Sequence, residues 1–127
     1  MRRRWVLARI VGSVLLLGSA GRASAQGELL YRKYCASCHG MEGGGDGPVA
    51  PSLTLRPTDL RTLAMPVDDL MRAIDGRRTI RAHGDATMPV WGHVLEREKR
   101  GRPHPGRATL YEVQALAEYV RTMRVRK

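Results

Sequence analysis

The chain has 127 residues, 22 Lys and Arg against 12 Asp and Glu, no Phe, and aromatics at only 5% of positions. That length allows one domain with one modest core and excludes a second domain, and so few aromatics are a thin supply for filling even that core, a deficit that a large buried cofactor would make up. The formal charge of +10 suits an acidic protein partner or an anionic surface, whereas nucleic acid is not the expected partner, because the basic residues interleave with acids and no recognition motif is present.

The first segment reads as an address. Arg2, Arg3 and Arg4 give a positive start, Ile10 to Ala20 is an uncharged and mostly apolar run, and Ala23-Ser24-Ala25 supplies a small-x-small pattern, which together predict a signal peptide over residues 1–25, cleaved before Gln26. The apolar run is too short for a retained anchor, since a span takes about 20 apolar residues. A periplasmic mature domain of residues 26–127 without a membrane span is therefore expected. Arg2, Arg3, Arg4, Arg9 and Arg22 carry five of the ten net positive charges, so half of the apparent basicity belongs to targeting.

Residues 27–38 carry Leu30, Tyr31 and Tyr34 at helical spacing and predict a short amphipathic helix running into the cysteines. There stands Cys35-Ala36-Ser37-Cys38-His39, the C-x-x-C-H pattern of covalent haem attachment. Two thiols one helical turn apart can add to the two vinyl groups on one edge of a haem, and the adjacent histidine reaches over the face to bind iron. A disulfide between cysteines so close would constrain the unfolded chain little. A redox dithiol expects a βαβ setting that the chain does not predict. A structural zinc wants four Cys or His ligands, and beyond this motif only His83, His93 and His104 remain.

Gly40 to Leu55 holds five glycines and two prolines and reads as a loop; it lacks the Gly-Lys-Ser/Thr ending and the preceding strand of a phosphate-binding loop. Val67, Leu70, Met71 and Ile74, with Pro66 before them and Gly76 after, predict a helix over 67–74. Thr79 to Pro89 reads as irregular, Val90 to Glu98 as one or two helical turns, and the basic, Pro/Gly-rich Arg100 to Arg107 as an exposed loop. Thr109-Leu110-Tyr111-Glu112 matches a capping box and opens the clearest helix, with Val113, Leu116, Ala117 and Val120 on one face and Arg121, Arg124, Arg126 and Lys127 at the end the helix dipole favours for cations. No strand pattern competes, so the expected fold class is all-α.

Over most of the mature chain the sequence resembles the class I (monohaem) cytochrome c family. The resemblance rests on Gly27, Tyr31 and Cys35 at intervals of four, on Cys35-Ala-Ser-Cys-His39-Gly40, on the Asp46-Gly47-Pro48 turn, on Met88-Pro89-Val90-Trp91-Gly92, and on Leu116 and Tyr119 in the terminal helix. It implies a cytochrome c-like fold of three main helices around one covalently bound haem c, with Cys35 and Cys38 attaching it, His39 as proximal iron ligand and Met88 as distal ligand. It also implies that Leu116 and Tyr119 pack on the N-terminal helix near Gly27. The chain departs from the shortest members at Glu96 to Arg107, which looks like an insertion.

Among competitors for the distal position, Met41 is too close to His39, Met65 comes early in the chain, and Met71 lies in an apolar helix stripe; His83 and His93 flank Met88 and are the serious rivals. Pro48 or Pro51 is expected to offer the carbonyl that accepts the His39 Nδ1 proton. Trp91 reads as a pocket wall, and Arg56, Arg61, Arg77, Arg78 and Arg81 as surface, one of them available to a haem propionate. The function expected is one-electron transfer between periplasmic redox proteins with acidic docking surfaces, by a carrier rather than an enzyme. The alternatives are an electron-accepting haem subunit of a dehydrogenase or oxidase complex, and a haem sensor or enzyme with an open sixth position.

Overall fold

The computed structural model describes residues 25–78 and 88–124, and within them the chain is helical with no strand, the all-α class that the sequence led us to expect. Helix α1 occupies residues 25–34, α2 is Ala36–His39, α3 is Val67–Asp75, α4 is Trp91–Arg97 and α5 is Pro105–Thr122, with 3-10 turns at Ala50–Ser52 and Leu60–Thr62. The expected signal peptide and most of the stretch expected to be irregular, 79–87 with Arg81 and His83, lie outside the described residues.

Helix α5 is the centre of the packing and lies against α3, α4 and the Leu60–Thr62 turn. Its apolar face buries Val113, Leu116, Ala117 and Val120 against Tyr31, Leu70, Ile74 and Leu95. Gly27 lets α1 cross α5 closely, because a Cβ there would stand 2.3 Å from the Ala115 carbonyl oxygen and 2.8 Å from the Tyr119 Cβ. The rings of Tyr31 and Tyr119 meet one turn further on, 5.5 Å apart. Tyr119 thus packs on the N-terminal helix where the family resemblance places it, and Leu116 is buried in the core cluster that includes Tyr31.

The expected helix at 67–74 is α3. Asp68 and Asp69 occupy its first turn, where the dipole favours acids, and Gly76 closes it in the left-handed region at φ 68°, its N–H bonded to the Arg72 carbonyl. Arg77 then ties α3 to α4 by gripping Asp75 at 2.7 Å and Glu96 at 2.7 Å. The guanidinium holds the Asp75 carboxyl below the usual carboxylate range.

The start of α5 corrects the sequence reading. Thr109 and Glu112 do not form a capping box, and 105–107 are not loop: the helix begins one turn earlier, at Pro105, after His104 in the left-handed region at φ 53°. Proline fits the first helical position because its missing N–H would have no partner there. Thr109 is buried inside the helix and its hydroxyl donates back to the Pro105 carbonyl at 3.0 Å. Glu112 is engaged by Lys99, a buried lysine whose Nζ also donates to the Leu95 carbonyl at 2.9 Å. The insertion is therefore pinned to α5 by a charge pair, and its non-helical part is limited to residues 98–104.

Candidate haem site

Cys35 sits at the joint between α1 and α2, and the hydrogen bonds run almost unbroken through it: Cys35 N–H to Tyr31 O, His39 N–H to Cys35 O and Gly40 N–H to Ala36 O, each at 2.9 Å. Cys35, Cys38 and His39 therefore stand at offsets of three and four on one side of a helical segment. Both thiols are free. Cys35 is buried and its thiol is pushed up to about 12, first by burial and then by the neighbouring Cys38, while Cys38 is only partly buried.

The glycine-rich loop caps this segment. Beyond the Ala36 carbonyl, that of Ser37 accepts from Val49 N–H at 2.9 Å, that of Cys38 from Gly47 at 3.1 Å and that of His39 from Gly45 at 2.8 Å. The last carbonyls of a helix have no partners of their own, and here the loop supplies them all. Its amides are thus turned toward the helix end, the opposite of a phosphate cradle. Gly45 must be glycine on two counts: φ is +74°, and a Cβ would come within 2.3 Å of the Pro57 carbonyl oxygen.

That close approach brings residues 57–60 against the motif, and the acceptor of the His39 Nδ1 proton is the Thr58 carbonyl at 3.0 Å. This corrects the expectation of Pro48 or Pro51. The sequence offered Pro48 and Pro51 because they lie in the loop just after the motif, but the fold lays the 57–60 segment over the glycines, with Leu60 N–H bonded to Gly43 O at 2.8 Å. A carbonyl only accepts, so Nδ1 carries the proton and Nε2 presents its lone pair, the form of histidine that binds a metal.

Of the methionines within the described residues, Met65, Met71 and Met123 pack on the core, while Met41 and Met88 are exposed, Met88 at 37%. Met88 directly precedes α4, whose Trp91 packs on Tyr34 with centroids 5.3 Å apart, next to Cys35. Val49, Leu53 and Leu55 are further exposed apolar side chains on the chain that follows the motif, and Val49 lies against it through its N–H bond to the Ser37 carbonyl. His93 is exposed on α4. Arg61 and Arg77 lie at the surface, partly exposed, and each is engaged there: Arg61 pairs with Asp59 at 2.7 Å and Arg77 with Asp75 and Glu96. The donor set fits a c-type haem: two free thiols one turn apart, an imidazole with its Nδ1 anchored, and apolar side chains nearby. Thr58 and Asp59 escaped the sequence reading, in which Arg61 figures only as a surface residue available to a propionate; the one available signal was an Asp two residues before an Arg at a turn.

Residues 22–102 match the family profile described as cytochrome C oxidase, cbb3-type, subunit III. No curated protein and no solved structure matches the chain significantly.

Proposed function

The chain belongs to the c-type cytochrome family described as cytochrome c oxidase, cbb3-type, subunit III, and from that premise we propose that it is a periplasmic carrier of single electrons. One haem c is attached through Cys35 and Cys38 and ligated by His39 and Met88. When bound, the haem supplies a one-electron ferrous/ferric couple.

The remaining chemistry belongs to the chain. Cys35 and Cys38 would fix the haem edge to a helical segment, and the Thr58 carbonyl holds the His39 ring in the tautomer whose Nε2 offers its lone pair to a metal. Among the described residues, Met88 is the methionine that is neither packed on the core nor within two residues of His39. If His39 and Met88 both held the iron, no position would be left for a substrate, which favours a carrier over an enzyme. Export is supported by the signal-like pattern of residues 1–25. Among the described residues no helix is long and apolar enough to cross a membrane.

The observation that carries this reading is the face shared by Cys35, Cys38 and an Nδ1-anchored His39. Its test is haem retention: protein matured in a host competent for c-type haem attachment is denatured and extracted with acidic acetone. Haem should stay with the chain, and Cys35→Ala or Cys38→Ala should weaken or abolish retention. Complete extraction from the native chain refutes covalent attachment. A second reading, a haem subunit of an oxidase or dehydrogenase complex, is favoured by the description of the matching family. Release of the native protein as a monomer by osmotic shock, without detergent, supports the free carrier; co-purification with an intact oxidoreductase supports the subunit.

A further inference from the structure

Resting on the proposed ligation by His39, we propose that Asp59 and Arg61 form a positioning pair for that histidine: they hold the Thr58 carbonyl on the Nδ1 proton and so set how strongly the imidazole donates to iron.

Residues 56–59 belong to no helix or strand, so nothing in regular secondary structure fixes the direction of the Thr58 carbonyl. What fixes it is its neighbour. The Asp59 carboxylate accepts from the Arg61 backbone N–H at 3.0 Å and from the Arg61 Nε at 2.9 Å on one oxygen, and from Nη2 at 2.7 Å on the other. This closes the turn that begins immediately after Thr58, and the Asp59 carbonyl completes it by accepting from the Thr62 hydroxyl at 2.9 Å. The same guanidinium reaches the other side of the site. Its Nη2 lies 3.1 Å from the point where a Cβ on Gly44 would stand, and an Asp46 carboxylate oxygen lies 3.1 Å from that point as well. Arg61 thus spans the two pieces of chain, the glycine loop and the 57–62 turn, that must keep their distance for the His39–Thr58 bond to persist.

The Arg61 and Asp59 side chains are 40% and 32% exposed. A pair so open to water contributes little to stability, so its bidentate geometry is better explained by orientation. A firm Nδ1–H···O=C bond makes the imidazole a stronger donor, which favours ferric iron and lowers the potential; loosening the bond raises it. Charge alone predicts a different pattern. Removing the Asp59 carboxylate would raise the potential, removing the Arg61 cation would lower it, and removing both would leave it nearly unchanged.

The experiment is a spectroelectrochemical titration of the haem-loaded protein at fixed pH and ionic strength, for the native chain, Asp59→Asn, Arg61→Gln and the double variant. Positioning predicts an upward shift in all three variants, together with faster solvent exchange of the His39 Nδ1 proton. A downward shift in Arg61→Gln, or an unshifted double variant, overturns the proposal. Should the variants not accumulate, the reduced native protein decides: a scalar coupling across the bond from His39 Nδ1 to the Thr58 carbonyl carbon is expected, and its absence rules the arrangement out. His39→Ala separates this from the underlying reading, because unchanged axial-ligand spectra in that variant would show that His39 is not a ligand at all.

Discussion

Tyr31 is fully buried, and its hydroxyl donates to the Gly40 carbonyl at 2.7 Å. It thereby hooks α1 to the residue that follows His39. Burial, with a smaller contribution from Cys35, pushes the phenol far above its ordinary value. Because the folded state raises this pKa, the associated stability is fully present below about pH 10, the ordinary phenol value, and is lost as pH rises beyond it. Denaturant melts of the haem-loaded protein from pH 8 to 11 should show that fall, and Tyr31→Phe should flatten it. At neutral pH the same variant should cost about 1 kcal/mol, since it removes a buried hydrogen bond and leaves the Gly40 carbonyl with only the Gly43 N–H at 3.2 Å. Met88 supports a second prediction. Met88→Ala should abolish the weak near-infrared sulfur-to-iron band of the ferric protein, lower the potential and let carbon monoxide bind the reduced form. An unchanged spectrum and potential would assign the sixth position to another residue, with His83 and His93 first in line.

Between elements, two contacts decide how the helices are held. Gly27→Ala would drive a methyl group into the Ala115 carbonyl and the Tyr119 Cβ, both on the long helix at the centre of the packing. The α1–α5 crossing can yield only by moving apart, so a loss of about 2 kcal/mol is expected in denaturant titration. The insertion before α5 hangs on Lys99 and Glu112. Glu112→Gln leaves a buried ammonium with a neutral partner and should cost about 3 kcal/mol, and proteolysis within residues 100–104 should accelerate. Replacing Lys99 and Glu112 together by apolar residues of similar size should cost much less, because the desolvation of both charges is then avoided.

For the whole molecule, the relevant quantity is its excess of positive charge. Exposed charges act mainly on encounter, so the bimolecular rate of electron transfer with a physiological partner should fall as ionic strength rises. A rate that is flat or climbs with salt would exclude a mainly acidic docking surface. Stopped-flow measurements between roughly 10 and 300 mM salt cover the range over which screening shortens from about 30 Å to under 10 Å.

The all-α class, the helix at Val67–Asp75 with its Gly76 stop, and the Cys35, Cys38, His39 constellation were legible in the sequence because each depends on residues within one or two turns of each other. Periodicity, a helix stop and a three-residue thiol spacing are local facts, and the surrounding fold had no reason to override them. The start of α5 was misread because a capping box is also local but weak. Burial of Thr109 and the grip of Lys99 on Glu112 outweigh it, and Lys99 stands thirteen residues away. The histidine acceptor was misread for a related reason: sequence proximity favours Pro48 and Pro51, whereas the carbonyl that reaches Nδ1 is nineteen residues distant. The motif proposed to bind a haem is thus short-range chemistry written in the chain. Which backbone atom anchors the His39 ring was decided only by tertiary structure, since it depends on glycines that let one segment lie against another, and no pattern along a single segment encodes that approach.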